Sequence, residues 1–138
     1  MHTSTSEVYG TAQYVPIDEL HPVSPQSPYS ASKIAADSMA MSFYNSFKLP
    51  LSIARPFNTY GPRMDKNDGR VVSNLIMQGL DKRKLSIYGD GSQIRNWLNV
   101  EDHIEGIINV LSKGKVGERY NLASSTELTN LEVVETIC

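Results

Sequence analysis

Thr3-Ser4-Thr5-Ser6-Glu7-Val8-Tyr9-Gly10, followed downstream by Pro28-Tyr29-Ser30-Ala31-Ser32-Lys33, brings a hydroxyl, a carboxylate, a phenol and an amine into one short region. A helix places Tyr29 and Lys33 on one face, one turn apart. An ammonium beside a phenol favours the phenolate, and a phenolate in reach of an alcohol can take its proton. A Tyr-x-x-x-Lys pair by itself also occurs on solvated helix faces. Here it is accompanied by Arg55-Pro56-Phe57-Asn58-Thr59-Tyr60-Gly61-Pro62-Arg63. The apolar run Leu51-Ser52-Ile53-Ala54-Arg55 suits a parallel strand and stops at Pro56. Ligands of open α/β sheets sit beyond the carboxyl ends of strands, where Phe57, Asn58 and Thr59 would lie.

Working outward, residues 11–26 hold Pro16, Pro22 and Pro25 and read as loop, at the rim of a site. A helix is expected over Ser27–Phe47. Its Ala31, Ala35, Ala36, Met39, Ala40 and Phe43 form an apolar stripe at helical spacing. That stripe either packs on the chain's own sheet or pairs with another helix. Val71–Leu80 reads as a helix. Leu85–Tyr88 and Asn96–Asn99 read as strands around a Gly-rich turn, Glu101–Leu111 as a helix and Arg119–Leu122 as a strand. Loop-linked βα elements give way to smaller mixed elements near residue 62.

The chain's 138 residues can bury one modest core. A net charge of -2 argues against general nucleic-acid binding. No apolar run approaches the roughly 20 residues of a membrane span, and Met1-His2-Thr3 does not open a signal peptide. The single cysteine, Cys138, is expected to be a buried helix residue in a reducing, cytoplasmic setting. His2, His21 and His103 have no metal-ligand spacing, so no metal is expected. Asp18-Glu19 reads as a solvated loop pair, and His103 as a capping residue.

Together these segments, with Tyr88-Gly89-Asp90-Gly91-Ser92-Gln93-Ile94-Arg95-Asn96-Trp97-Leu98-Asn99-Val100-Glu101-Asp102-His103, resemble the extended short-chain dehydrogenase/reductases of the NAD-dependent nucleotide-sugar epimerase/dehydratase family. The likeness is greatest to the 4,6-dehydratases acting on dTDP-glucose. The Gly61–Asn74 loop is similar to UDP-glucuronate decarboxylases, and the front end to dehydratases acting on UDP-N-acetylglucosamine or GDP-mannose. The resemblance implies an α/β chain: the C-terminal part of a Rossmann-type parallel sheet over residues 1–62, carrying the catalytic groups, and a smaller mixed α/β substrate-binding region over 63–138, incomplete at its end. It also implies NAD as cofactor, a nucleotide-sugar substrate, and a homodimer through the Ser27–Phe47 helix.

The roles implied by the resemblance are specific. Tyr29 would take the C4 hydroxyl proton while NAD takes the hydride, with Lys33 supporting Tyr29 and holding the cofactor ribose. Pro56 and Thr59 would flank the cofactor. Thr5 would hydrogen-bond the C4 oxygen, and Glu7 would remove the C5 proton made acidic by the 4-keto group. Ser6 stands where dTDP-glucose dehydratases have an aspartic acid, and a hydroxyl is a weak general acid. Asn58, Arg70, Val71, Ser86, Ile87, Tyr88, Arg95 and Asn130 would bind the nucleotide sugar; both arginines suit its diphosphate by guanidinium geometry, and the resemblance puts Arg95 on the diphosphate and Arg70 beside the nucleotide. Arg63 and Lys66 are either further phosphate partners or solvated charges.

Three readings follow from that resemblance: a 4,6-dehydratase, a UDP-glucuronate decarboxylase, and a C4 epimerase. A fourth is a non-catalytic remnant. The family holds the NAD pyrophosphate on a G-x-x-G-x-x-G turn, and this sequence has no such turn. The expectation is an internal piece of a longer enzyme or the product of a truncated gene, inactive, poorly soluble or molten when isolated.

Overall fold

A computed structural model of the chain describes residues 1–87 and 89–137; the expectations for Tyr88 and Cys138 fall outside them. The chain forms two compact units, Met1–Phe57 with Glu101–Ala123, and Asn58–Val100 with Ser124 onward. The return of Glu101–Ala123 to the first unit supplies that unit with a third strand.

In the first unit, β1 (His2–Thr3), β2 (Ile53–Pro56) and β5 (Arg119–Leu122) form a parallel sheet in the order β1-β2-β5. The register sets Thr3 opposite Ala54, and Pro56 opposite Leu122. The central strand β2 is the buried one, with Ile53 and Ala54 fully buried, whereas β1 and β5 carry polar and partly exposed residues. A single 3-10 turn, Ser6–Tyr9, follows β1 and buries Val8 and Tyr9. α1 (Pro28–Phe47) starts where the sequence predicts: Ser27 is its N-cap, Pro28 its first residue, and Ser27 and Ser30 close a reciprocal capping box. The helix ends on Lys48 in the left-handed region.

α1 turns an unusual face inward. Ser30 and Asp37 are its buried residues, while Met39, Phe43 and Phe47 are exposed. The apolar stripe is therefore not covered by the chain's own sheet. The 11–26 segment carries a cis Val15–Pro16 bond and is fastened by His21. The buried ring of His21 accepts the Gln13 amide at Nε2 and approaches the Pro22 carbonyl with Nδ1, both at 2.9 Å. It also meets Tyr9 edge-on, with centroids 5.4 Å apart. Glu19 is not merely solvated as expected: its carboxylate accepts the Asn121 amide at 2.7 Å. α3 (Val100–Lys113) runs with an acidic first turn and a lysine in its last, both matching the helix dipole. Burial pushes the pKa of His103, which lies inside this helix, below its ordinary value.

In the second unit, β3 (Asn58–Tyr60), β4 (Ile94–Asn99) and β6 (Glu127–Thr129) form a mixed sheet, β3 parallel and β6 antiparallel to the central β4. α2 (Val71–Leu80) and α4 (Asn130–Ile137) pack on one another, with Leu75, Leu98 and Val133 as buried apolar residues of this unit. Leu85–Ile87, expected as strand, is not one, whereas Asn96–Asn99 lies within β4 as expected. The Ser86 amide instead donates to the Gln78 side chain at 2.8 Å, holding the segment to α2. No helix among the described residues is long and apolar enough to cross a membrane.

Candidate active site

The expected catalytic residues fall in the first unit, on two elements that meet at the carboxyl end of β1. Thr5 is buried and extended (φ -159°), and its Oγ1 accepts the Glu7 amide at 3.2 Å, capping the 3-10 turn. Ser6 is half-buried at the start of the turn, and Glu7 is exposed. Gly10 closes the turn with φ +64°; a Cβ there would lie 2.3 Å from the Ser24 carbonyl oxygen, so only glycine fits. Across from the turn, Tyr29 lies in the first turn of α1 and is half-exposed. Lys33 Nζ lies 6.0 Å from the Tyr29 ring centroid and donates to the Thr3 carbonyl at 3.3 Å. That bond ties the helix to the strand end from which the Thr5–Glu7 turn departs. Pro56 ends β2, half-buried.

Beneath these groups lies a polar cluster that the sequence reading did not pick out. Arg55 is 3 % exposed, and Asp37 is 4 % exposed. Arg55 donates to Asp37 Oδ2 from Nε (3.1 Å) and Nη2 (2.8 Å), and from Nη1 to the Tyr9 hydroxyl (2.9 Å). Tyr9 in turn donates to Asn121 Oδ1 at 2.7 Å. His2 Nε2 lies 3.2 Å from Asp37 Oδ1, within ion-pair range but off-axis for a hydrogen bond. The available signal was Asp37 itself, a carboxylate one turn beyond Lys33 on the same helix face, and Arg55 ending an apolar run.

Four expected substrate-binding residues, Val71, Ser86, Ile87 and Asn130, come together in the second unit around an open cleft, with Asn74 and Leu75. Asn130 begins α4; its amide donates to the Gln93 carbonyl at 3.1 Å and its Nδ2 to Gln93 Oε1 at 3.3 Å, while its buried Oδ1 has no partner among the described residues. Glu132 caps the same helix by accepting the Thr129 amide and hydroxyl, which pull its pKa below the ordinary value. Arg70 is exposed at the N-cap of α2 and pairs with Asp68 at 3.3 Å. The Ser73 hydroxyl and the Arg70 amide draw the pKa of Asp68 down. Arg95 is exposed on β4, with Nη1 on the Ile94 carbonyl. Neither arginine lines the cleft. Asn58 and Thr59 lie on β3, and Asn58 Nδ2 donates to the Asn96 carbonyl at 3.1 Å.

A Tyr-x-x-x-Lys helix beside the carboxyl edge of a parallel sheet, with a Thr/Ser-Glu turn on that edge, defines the extended short-chain dehydrogenase/reductase class. The chain belongs to the GDP-mannose 4,6 dehydratase family, whose profile matches residues 1–138. It is 43 % identical over 139 residues to the dTDP-glucose 4,6-dehydratase of Neisseria gonorrhoeae, a match spanning 99 % of this chain and 40 % of that protein. It is 40 % identical to UDP-glucuronic acid decarboxylase 1 of Arabidopsis thaliana, spanning 98 % of this chain and 32 % of that one. The crystal structure of a Bacillus anthracis dTDP-glucose 4,6-dehydratase in complex with NAD superposes with a TM-score of 0.92 at 42 % identity, over 98 % of this chain and 43 % of that one. The chain thus spans about 40 % of the length of such relatives.

Proposed function

We propose that the polypeptide carrying this sequence is an NAD-dependent nucleotide-sugar 4,6-dehydratase of dTDP-glucose type, working in the cytoplasm. The observation that carries the reading is the bond from Lys33 Nζ to the Thr3 carbonyl, which joins the Tyr29–Lys33 helix to the strand end bearing Thr5 and Glu7. The dehydratase names of the relatives support it further.

In this reading Tyr29 takes the proton of the C4 hydroxyl. The Thr5 hydroxyl accepts from the Glu7 amide, which leaves its own hydrogen to donate to the C4 oxygen. Glu7, exposed at the turn, takes the C5 proton and passes it to the departing C6 hydroxyl, which leaves as water beside Ser6, and C5 regains a proton from solvent when C6 is reduced. NAD, held by Lys33, Pro56 and Thr59, would supply the hydride-transfer chemistry between C4 and C6. The residues fit the cofactor's ribose: an ammonium has three hydrogens and the Thr3 carbonyl takes one, leaving donors for ribose hydroxyls. Pro56 and Thr59 flank the cofactor in this reading. Arg70 and Arg95, both exposed, take the diphosphate, with Asn58 beside them. The cleft of Val71, Ser86, Ile87 and Asn130 takes the nucleoside. The exposed Met39, Phe43 and Phe47 of α1 support a homodimer through that helix. If so, Phe43→Glu shifts the sedimentation of the protein from dimer to monomer.

A second reading, UDP-glucuronate decarboxylation, is favoured by Ser6, because loss of carbon dioxide needs no acid at C6, and by the Arabidopsis relative. The discriminating experiment supplies NAD with dTDP-glucose or UDP-glucuronate. A 4-keto product absorbing in base supports dehydration; carbon dioxide release supports the alternative. Glu7→Gln lowers dehydration by about 10²–10⁴-fold, the usual worth of a positioned base. A C4 epimerase would not need Glu7, so epimerisation that survives this substitution, with no dehydration by the unmodified protein, overturns the reading.

A further inference from the structure

We propose that Arg55, Asp37, Tyr9 and Asn121 form one positioning unit that locks the Thr5–Glu7 turn against the helix bearing Tyr29 and Lys33; its consequence for turnover rests on the dehydratase reading above. The cluster is directional throughout. A guanidinium can only donate, so the Tyr9 oxygen accepts from Arg55 Nη1 and must give its own hydrogen to Asn121 Oδ1. That fixes the Asn121 amide, whose Nδ2 then donates to the Ile17 carbonyl at 3.2 Å. The other two guanidinium nitrogens grip one carboxylate oxygen of Asp37. One buried cation therefore joins α1, β2, the 3-10 turn and, through Tyr9, β5.

The placement of these groups speaks for geometry rather than bulk stability. A buried ion pair contributes little net stability over apolar residues of the same volume, because desolvation offsets the attraction. A single 3-10 turn is too short to hold itself. Tyr9, its last residue, anchors it by hydrogen bonds beside the buried Val8, and Glu7 lies between that anchor and the Thr5 cap. Asp37 follows Lys33 by four residues on the same helix face, so the guanidinium that holds the turn also holds the catalytic helix. A misplacement of about 1 Å at a reacting group costs on the order of 10²-fold in rate. None of the four cluster residues needs to touch substrate to have this effect.

The test compares Tyr9→Phe and Asn121→Ser with the unmodified protein. Tyr9→Phe removes one hydroxyl and keeps the buried ring; Asn121→Ser removes its acceptor from the other side. Amide hydrogen exchange followed by mass spectrometry should rise about tenfold or more across residues 6–10 in both variants, with little change in the sheet or in the middle of α1. In turnover, kcat should fall about tenfold or more with KM nearly unchanged, and the isotope effect with C5-deuterated substrate should grow, because the Glu7 step becomes slower. Unchanged exchange at the turn, a uniform rise over the whole chain, or a turn already exchanging freely in the unmodified protein overturns the proposal. An unchanged kcat and isotope effect with a loosened turn also overturns it, as it leaves the cluster purely structural. Absence of dehydration in the unmodified protein counts against the dehydratase reading alone, and the exchange result stands apart from it.

Discussion

Both Nε and Nη2 of Arg55 donate to a single oxygen of Asp37, at 3.1 and 2.8 Å, with the two side chains almost wholly withdrawn from solvent. Removing one partner strands the other. Asp37→Ala should therefore destabilise the first unit by about 3–5 kcal/mol in urea unfolding. The double variant Asp37→Leu with Arg55→Met should recover most of that loss, since it removes both charges together. A double-mutant cycle with no coupling between the two positions would sink this account of the pair.

Gly10 and Gly69 both have positive φ, +64° and +74°, but only Gly10 is crowded. A Cβ at Gly10 would press on the Ser24 carbonyl, whereas nothing lies within 4 Å of one at Gly69. Ser24 is itself tied back to the turn, its amide donating to the Val8 carbonyl at 2.9 Å. Gly69→Ala should cost about 1–2 kcal/mol, the conformational term alone. Gly10→Ala should cost at least about 1–3 kcal/mol more and open residues 11–26 to limited proteolysis. Equal unfolding midpoints for the two variants would contradict the steric argument.

The parts of the fold that were legible in the sequence are those set by local rules. Ser27-Pro28 with Ser30 announces a capped helix start, and the run ending at Pro56 announces a strand. Val71–Leu80 follows from its apolar period. The failures are where tertiary contacts decide. Leu85–Ile87 has strand-like composition, but the Gln78 side chain takes the Ser86 amide, which a ladder would need. Glu127–Thr129 has no apolar run and pairs only because β4 offers its free edge. At the candidate site, Thr5, Glu7, Tyr29 and Lys33 were readable as chemistry-bearing types at recognisable spacing. Tyr9, Asp37 and Asn121 were not, because their importance lies in one another, across long sequence separations.

Asp68 sits just before α2, where its carboxylate accepts from the Ser73 hydroxyl and from the Arg70 amide at 2.9 Å. The Ser73 bond is the largest cause of its lowered pKa, followed by the Arg70 amide, with the Arg70 charge weaker. The folded pKa is thus below the ordinary value of 3.8. The stabilisation is full above the unfolded pKa and is lost as pH falls through the folded one. The start of α2 should accordingly keep slow amide exchange above about pH 4 and loosen below it. Asp68→Asn should loosen it at neutral pH and flatten the acid dependence. An acid profile identical in the two proteins would remove Asp68 as the cause.

Asn130 offers the most direct handle on the cleft. It lines the space with Ser86 and Ile87; among the described residues its buried Oδ1 has no partner and its Nδ2 makes a long bond to Gln93. An unpaired buried acceptor is costly to leave unmade, and a ligand N–H that reaches it recovers that cost on binding. The imide N–H of a pyrimidine base is such a donor. Asn130→Leu takes the acceptor away, so the bound base would bury its own donor unpaired. Affinity for dTDP or UDP, measured by calorimetry, should fall about 10–100-fold. Stability should change little, because the one side-chain bond lost is long. Asn130→Asp keeps an acceptor but adds a negative charge that repels a negatively charged nucleotide, so its loss should shrink as pH is lowered, whereas that of Asn130→Leu should not. Unaltered affinity in Asn130→Leu would mean that the orphan oxygen faces no base, and would remove the cleft's claim to the nucleoside.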